Sequence, residues 1–340
     1  MKAAVHCKQK SVIIHAMKTM IKKIQQRLQI PEEASGQRFD QVLVKLLPEY
    51  SRVLIQKWIK SGEALLNHKI VKPKTLVSGG ETVLIEAQLE PKTEWAAQPL
   101  PLNIVFEDEA LLVVNKPIGL IVHPGSGNPD HTLVNALLHH NPELEALPRA
   151  GLIHRLDKDT SGLLIIAKTQ VAYNHLNKQL KARSIRREYQ TIVSGTLISG
   201  GTVDAPMARH PLQRKRMAVI ETGRPAITHY RVLEKFRAHT RLKVRLETGR
   251  THQIRVHMAY IQHPIIGDAT YGERLRLPKG ATPNLTQSLR QFKHQALHAD
   301  ELGLLHPVTQ TEMAWKVELP DDFQELLAAL RDDSILHNRT

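Results

Sequence analysis

The stretch GLIHRLDKDTSGLLIIAKT, residues 151–169, places a charged segment between two apolar ones. Residues 151–153 and 163–167 are suited to buried strands, whereas residues 154–159 are almost all polar. A carboxylate inside an apolar frame takes up a proton unless a cation and hydrogen bonds compensate its charge. We therefore expect Asp157 to have a cationic partner from another part of the chain.

A candidate partner lies in ETGRTHQIRVHMA, residues 247–259. A turn at 248–249 and a capping residue, Thr251, predict a helix over the segment that follows. Arg250 and Arg255 are then fixed near the N-terminus of this helix. Either arginine is suited to pair with Asp157, to keep its carboxylate ionised and to fix its rotamer.

A third candidate is Tyr189, on the predicted strand RREYQTIV at 186–193. Its ring offers a face on which a nucleobase can stack. Taken singly, these residues fit a purely structural role, as a buried ion pair and a core tyrosine. Together, on a basic chain, they favour a site that acts on a flipped nucleotide.

The composition predicts a folded, basic protein. The chain has 340 residues, 41% of them hydrophobic, which indicates two domains and excludes wholesale disorder. Lys and Arg number 47 against 33 Asp and Glu, and the net charge of +14 favours a polyanionic partner over solubility alone. Cys7 is the sole cysteine, which excludes internal disulfides and a thiolate metal site and fits a cytoplasmic protein. No apolar run reaches the roughly 18 residues needed to span a membrane, so we expect no membrane partner.

Composition shifts predict four segments. Residues 1–27 carry seven basic residues and no acidic one, which indicates a disordered basic tail. A mitochondrial presequence is the weaker alternative, because lysine outnumbers arginine there. Residues 28–89 form a compact unit, the proline-rich stretch 90–103 a linker, and residues 104–333 a larger domain that closes with a helix at 321–333.

The unit at 28–89 is predicted as a small α/β module. Apolar spacing indicates helices in GQRFDQVLVKLLPEY (36–50) and RVLIQKWIKSG (52–62), the second capped by Ser51, and strands in ALLN (64–67) and TVLIEA (82–87). Positively charged side chains occupy the exposed positions of the two predicted helices. They are Arg38, Lys45, Arg52, Lys57 and Lys60. Exposure of these helix faces to solvent explains such charges in part. Because both successive helices carry positive charge, however, an RNA-binding surface is favoured.

The region from 104 onward is predicted as an α+β fold, with a mainly antiparallel mixed sheet flanked by helices. Most strand links resemble hairpins, and helices are predicted at 132–140 and 170–183. The strand TRLKVRLETG (240–249) alternates apolar positions 242, 244 and 246 with basic positions 241, 243 and 245. We expect its basic side to be solvated or to face RNA.

Other chemistries fit less well. The HRLD sequence resembles a kinase HRD loop, but Leu156 displaces the aspartate and no glycine-rich loop precedes it. His294 and His298 are four residues apart, but the strand predicted at ALHADELGLL (296–305) would separate them, so no metal site is expected. Asp157 and Asp159 are too close in sequence to face each other as a glycosidase pair. We predict that the chain uses neither metal nor cofactor.

The N-terminal unit resembles the S4 RNA-binding module. The matching motifs are RFD at 38–40, SR at 51–52, IxxG at 59–62 and LN at 66–67. Phe39 replaces the usual leucine, and His68 replaces the usual glycine. The resemblance implies that the two helices meet RNA, with contacts from Arg38, Arg52, Lys57 and Lys60.

The larger region resembles the RluA-type RNA pseudouridine synthases. HRLDxxTSG at 154–162 matches their signature, LETGRTHQIRVH at 246–257 their third motif, and REY at 187–189 the position of their tyrosine. Further similarity covers nearly all of 101–320. The resemblance implies that the chain isomerises uridine to pseudouridine in large-subunit (23S) ribosomal RNA.

The resemblance also implies roles for the candidate residues. Asp157 is the nucleophile, at C1′ or at C6 of the target uridine, and Arg255 is its partner. Tyr189 stacks on the uracil and helps to remove the C5 proton. Arg155 fills the gap left by the flipped base. The RNA-facing group around it also includes His154 and Thr160.

Two function classes remain open. One is the synthase, which acts in the helix 69 stem-loop or on other uridines of the same RNA. The other is a catalytically silent RNA-binding factor of ribosome assembly. The presence of Asp157, Tyr189 and Arg255 together favours the synthase. The expected partner is ribosomal RNA, free or in an assembling particle, and no protein partner is predicted.

Overall fold

The computed structural model of the chain describes residues 22–47, 50, 52–89, 95–125, 127–272 and 274–338. These residues form two compact units that divide between residues 94 and 95. Each unit has hydrophobic clusters of its own, so the two are described separately. No helix in the described ranges is long and apolar enough to cross a membrane.

The N-terminal unit packs two helices against a three-stranded sheet. Its elements are β1 (Lys22–Gln29), α1 (Phe39–Leu46), α2 (Arg52–Ser61), β2 (Ala64–Leu66) and β3 (Thr82–Leu89). The sheet has the antiparallel order β1-β3-β2. Phe39 of α1 and Ile55, Trp58 and Ile59 of α2 are almost completely buried in its core. Both helices and both strands predicted from apolar spacing are confirmed, while Ser51 lies outside the described residues.

Strand β1 corrects the predicted basic tail. It begins at Lys22, inside the stretch 1–27, and pairs along its whole length with β3. Ile24 is buried, while basic and amide side chains occupy most of the other positions. A strand with one such polar face resembles a solvated tail in sequence, since its pairing partner lies some 60 residues away. Residues 1–21 of the predicted tail lie outside the described residues.

The predicted linker 90–103 is also corrected over its second half. Residues 95–103 contain no helix or strand, but they belong to the C-terminal unit. Trp95 packs against the core of that unit, and the Asn135 side chain donates to the Ala96 carbonyl at 2.8 Å. Prolines prevent regular structure here without preventing attachment to the neighbouring helix. Residues 90–94 lie outside the described residues.

The C-terminal unit is built on one mixed sheet. Its strands are β4 (Ile104–Glu107), β5 (Leu111–Lys116), β6 (Ser161–Ala167), β7 (Arg186–Ser194), β8 (Gly201–Asp204), β9 (Met207–Arg209), β10 (Met217–Val219), β11 (Ile227–Lys235), β12 (His239–Leu246), β13 (Leu297–Leu305) and β14 (Glu312–Lys316). Eight of them follow the order β4-β5-β6-β13-β7-β12-β11-β8, and β14 is the ninth strand of the sheet, paired to β13, while β9 and β10 form a separate two-stranded sheet. Only the β6–β13 pair is parallel, so the predicted α+β fold with a mainly antiparallel sheet is confirmed.

Five helices accompany this sheet. They are α3 (Leu133–His140), α4 (Gln170–Lys181), α5 (Gln253–Tyr260), α6 (Pro283–Gln291) and α7 (Asp321–Asn338). The sequence analysis did not predict α6, which Thr282 caps by accepting from the Leu285 amide. Helix α7 runs beyond residue 333, and its predicted apolar face is buried.

Strand β12 has a side that differs from the prediction. Leu242 and Val244 are buried, as the alternation indicates. On the other side, however, Lys243 is only 6% exposed and its ammonium contacts the carboxylate of Asp300 at 2.8 Å, with two further carboxylates nearby. A buried ammonium requires such compensation, and burial here outweighs the strand's own alternation. The prediction that this side is solvated or faces RNA is therefore wrong at Lys243.

Candidate active site

A cavity of about 510 Å³ opens in the C-terminal unit. Its walls come from the segment 153–157, from β7, and from the turn that leads into α5. Asp157, Tyr189 and Arg255 all line it, although they are distant in sequence. The fold brings together the three residues that the sequence analysis grouped as catalytic candidates.

Asp157 contributes a carboxylate to the wall of this cavity. Its Oδ2 accepts a hydrogen bond from Nη1 of Arg255 at 2.9 Å, while its Oδ1 lies 3.8 Å from Nε2 of His252. Its side chain is 15% exposed, so the carboxylate remains open to the cavity. Arg250, the other candidate partner, instead donates to the carbonyl of Pro225.

Arg255 is held by a second carboxylate. Its Nε and Nη2 donate to Oδ2 and Oδ1 of Asp268 at 2.7 and 2.8 Å, a two-pronged pairing that fixes the plane of the guanidinium. Burial lowers the pKa of Arg255, but the bonds and charge of Asp268 outweigh burial and raise it above its usual value. Arg255 therefore stays charged and directs its remaining N–H at Asp157.

Asp268 is a residue of the site that was not predicted from the sequence. Its Oδ1 also accepts from the backbone amides of Thr270 and Tyr271, which anchors the carboxylate to its own loop. Burial raises the pKa of Asp268, but the hydrogen bonds from Arg255 overcome this and lower it. The sequence feature that could have revealed it is a lone aspartate shortly after the apolar run PII at 264–266, because Asp157 likewise stands beside apolar residues.

His252 and Tyr271 form a second unpredicted pair in the site. His252 adopts a left-handed backbone conformation at the N-terminus of α5, with φ of 57°. Its Nδ1 lies 2.8 Å from the hydroxyl of Tyr271, and the Tyr271 ring stacks beneath the guanidinium of Arg255 at 5.1 Å. Tyr271 therefore supports both groups that face Asp157.

Tyr189 extends from β7 into the same cavity. It is 5% exposed, and burial raises the pKa of its hydroxyl above the usual value. The resting site therefore holds a neutral phenol with an apolar ring, which suits stacking against a nucleobase.

Three residues were predicted to face RNA, Arg155, His154 and Thr160, and the structure exposes them to different degrees. Arg155 is exposed at the cavity. His154 accepts a long hydrogen bond from the Ile165 amide, and burial together with the charge of Arg187 lowers its pKa to about 3, so it is neutral. Thr160 is 2% exposed and its hydroxyl accepts from Gln295. The predicted RNA contact of Thr160 is corrected, because this buried hydroxyl fixes the loop instead.

The predicted RNA contacts of the N-terminal unit centre on Asp40. Arg38 and Arg52 both donate to its carboxylate, which is fully buried, and Gln56 donates at 2.6 Å. Burial raises the pKa of Asp40, but hydrogen bonds from Arg38, Gln56 and Arg52 outweigh it and hold the pKa at about 2. The Arg52 side chain remains 50% exposed. Lys57 and Lys60 are exposed on α2.

No group of three His, Cys, Asp or Glu residues suited to a metal ion occurs in the described part of the chain. The carboxylates of the cavity are instead neutralised by arginine. The negative charge of Asp157 is therefore compensated by the protein's own side chains.

Comparison with known proteins gives the class of the chain. Residues 110–260 match the RNA pseudouridylate synthase family and residues 37–83 match the S4 domain. Among solved structures, human RNA pseudouridylate synthase domain containing 4 aligns with a TM-score of 0.54 at 27% identity, covering 67% of this chain and 93% of that one. The chain belongs to the RNA pseudouridine synthase family, and its N-terminal unit is an S4 domain.

Its similarity to individual relatives extends over almost the whole chain. The ribosomal large subunit pseudouridine synthase D of Xanthomonas campestris is 55% identical over 305 residues, which covers 90% of this chain and 92% of that protein. The protein of the same name from Escherichia coli K12 is 50% identical over 315 residues, covering 92% and 97%. Both resemblances recognised in the sequence are thereby confirmed, and the chain is an RNA pseudouridine synthase.

Proposed function

We propose that this synthase isomerises uridines of large-subunit ribosomal RNA through Asp157. The names of its relatives support the choice of RNA. The observation that carries the mechanism is the Asp157 carboxylate, open to a cavity and paired with Arg255 opposite Tyr189. An aspartate kept ionised in this way is suited to nucleophilic attack.

The two oxygens of Asp157 have different roles in this proposal. Oδ2 is engaged by Arg255, whereas Oδ1 makes no hydrogen bond within the described residues and is the attacking atom. Attack at C1′ displaces the uracil, whereas attack at C6 forms a covalent adduct with the base, which can turn once the N1–C1′ bond has broken. Either covalent route divides the isomerisation into two easier steps, N1–C1′ cleavage and C5–C1′ bond formation.

Tyr189 and Arg155 complete the proposed mechanism. Tyr189 stacks on the uracil, and its hydroxyl assists removal of the C5 proton after the new bond forms. Arg155, exposed at the rim, occupies the space that the flipped uridine leaves in the RNA. Neither step calls on a metal or a cofactor.

We propose the helix 69 stem-loop as the target, since the relatives carry the name of synthase D. Other uridines of the same RNA are the alternative target, and an assembling particle is an alternative to free RNA. The complete set of Asp157, Arg255 and Tyr189 disfavours a catalytically silent assembly factor.

Asp157→Asn tests the proposal, because it keeps the shape of the side chain but removes the attacking anion. We expect pseudouridine formation to vanish, while RNA affinity and melting temperature stay near those of the wild type. Pseudouridines are mapped in large-subunit RNA from cells that lack the gene and carry either version. Turnover by the variant near the wild-type rate contradicts the nucleophile assignment. An unchanged map without the gene contradicts the choice of RNA.

A further inference from the structure

Arg187 is a buried cation that the mechanism above does not use. It lies on β7 two residues before Tyr189, so both side chains are on the same face of the strand, and both line the cavity. Arg187 is 4% exposed. Its burial therefore resembles that of a core residue, although it carries a full positive charge.

The guanidinium of Arg187 has few partners. Its Nη2 makes one long hydrogen bond, 3.3 Å, to the carbonyl of Glu247, and its buried Nε has no partner. No carboxylate within the described ranges forms an ion pair with it. The carboxylate of Glu247 is taken by Arg183 and His229, and that of Asp157 by Arg255.

The backbone around Arg187 makes room for its head group. A Cβ placed on Gly249 would lie 2.8 Å from Nη1 of Arg187. The turn before α5 therefore lies close to the guanidinium, and a side chain at position 249 would have to displace the end of Arg187. Burial lowers the pKa of Arg187, and the main opposing influence is Tyr189, not an acid.

An arrangement of this kind is costly without a ligand, because a buried charge needs an opposite charge and hydrogen bonds. The free donor capacity of Arg187 lies beside Tyr189, on which the proposed mechanism stacks the uracil. A phosphate at the RNA surface is a poor candidate for this position, since so little of the arginine is exposed. A base inserted into the cavity is better placed to meet it, because Arg187 and Tyr189 line the same cavity.

We propose that Arg187 is a further catalytic residue, which donates hydrogen bonds to a carbonyl oxygen of the target uracil as negative charge develops there. The inference rests on the proposed function and adds a residue to it. If Asp157 attacks C1′, the N1–C1′ electron pair leaves on the uracil and spreads to O2 and O4. If Asp157 attacks C6, the C5–C6 electron pair moves towards O4. In both routes the carboxylate charge passes to the base, and Arg187 transfers no proton.

Donors held in place where charge develops stabilise a transition state more than a ground state. Removal of Arg187 is therefore expected to slow the chemical step more than it weakens RNA binding. A phosphate contact would behave in the opposite way, with weaker binding and a salt dependence reduced by about one unit in slope.

The experiment compares wild type, Arg187→Ala, Arg187→Lys and Gly249→Ala on a large-subunit RNA stem-loop that the wild type modifies. Single-turnover rate, RNA affinity at several salt concentrations and melting temperature are measured. Arg186→Ala is the matched control, because Arg186 is exposed and precedes Arg187 on the same strand. We expect Arg187→Ala to lower the rate about 100- to 1000-fold, the loss typical of an oxyanion donor, with affinity within about threefold of wild type.

Added guanidinium ion should restore part of the rate of Arg187→Ala, since the truncation leaves a hole of its shape. Arg187→Lys and Gly249→Ala should lose less than Arg187→Ala, and they decide the outcome if Arg187→Ala does not fold. A rate within threefold of wild type in Arg187→Ala overturns the inference. So does weaker affinity with a smaller salt slope at an unchanged rate, or a loss that follows the melting temperature and shows no rescue by guanidinium.

Failure of the proposed function is distinguishable from failure of this inference. If the wild type forms no pseudouridine in any large-subunit RNA, the choice of substrate is wrong. If the wild type is active and Arg187→Ala matches it, only the role of Arg187 is wrong.

Discussion

The Asp157 carboxylate belongs to a relay of charges, Asp157–Arg255–Asp268, whose last member does not line the cavity that Asp157 faces. Asp268 fixes the guanidinium through two short hydrogen bonds, and Arg255 in turn fixes one oxygen of Asp157. A shift of about 1 Å in a reacting group is enough to cost about a hundredfold in rate. The position of the Asp157 carboxylate is therefore set in part by a residue outside the two sequence motifs.

Asp268→Asn should disturb this relay, because the amide nitrogen of asparagine faces an N–H donor of Arg255. We expect a loss of about 3 kcal/mol in the free energy of unfolding, as for other broken buried pairs, and a rate at least tenfold lower. Denaturant unfolding and single-turnover assays measure both. Asp322→Asn is the control, since that carboxylate is 45% exposed. Wild-type values for both quantities in Asp268→Asn contradict the relay.

Arg155 offers a test of base flipping. A uridine must leave the stack at a cost of a few kcal/mol, and an exposed planar cation at the rim is suited to fill the space. We expect Arg155→Ala to lose much more activity on a structured stem-loop than on an unstructured oligonucleotide with the same target uridine. Equal losses on the two substrates would leave Arg155 with a structural role.

At the scale of elements, Asp40 joins α1 to α2 in the S4 domain. Arg52 on α2 and Arg38 before α1 converge on this buried carboxylate. Two of the arginines assigned to RNA contacts therefore also hold the helices that present them. The RNA contact predicted for Arg52 and the stability of the domain therefore depend on the same acid, Asp40.

Asp40→Asn should destabilise the S4 domain by about 2 kcal/mol, because the pKa of Asp40 is about 2 instead of its usual 3.8. The ionised Asp40 carboxylate stabilises the fold, because its pKa is lower in the folded chain than in the unfolded one. This stabilisation is complete above about pH 4 and is lost as the pH falls through about 2. The free energy of unfolding of the variant should therefore be close to that of the wild type at pH 2 and lower than that of the wild type at pH 7. Fluorescence of buried Trp58, with the other two tryptophans replaced, follows the unfolding, and Glu33→Gln is the control. If the unfolding free energies of wild type and variant differ by the same amount at pH 2 and pH 7, the ionisation of Asp40 does not stabilise the domain.

At the scale of the whole molecule, the two units have separate cores, so removal of residues 1–94 should leave the catalytic unit folded. RNA affinity should fall, and its salt dependence should flatten by about one unit of slope for each phosphate that is no longer bound. Filter binding at several salt concentrations measures both. Lys60→Gln in the full chain should reduce the slope of RNA affinity against salt concentration by about one unit. An unchanged slope after truncation would mean that the S4 domain binds something other than RNA.

Local patterns in the chain are enough to predict helices α1 to α5 and α7, several of the strands, and Asp157, Tyr189 and the two arginines Arg250 and Arg255 as candidate site residues. These follow from short-range causes: apolar periodicity, capping residues and motifs within a few positions of one another. Only the folded chain shows that β1 pairs with β3, that Lys243 is buried among acids, and that Arg255 rather than Arg250 meets Asp157. The places of Asp268 and Arg187 in the site also emerge only there. Each of these depends on which strands and loops lie side by side, and no local pattern encodes contacts between segments so far apart in the chain.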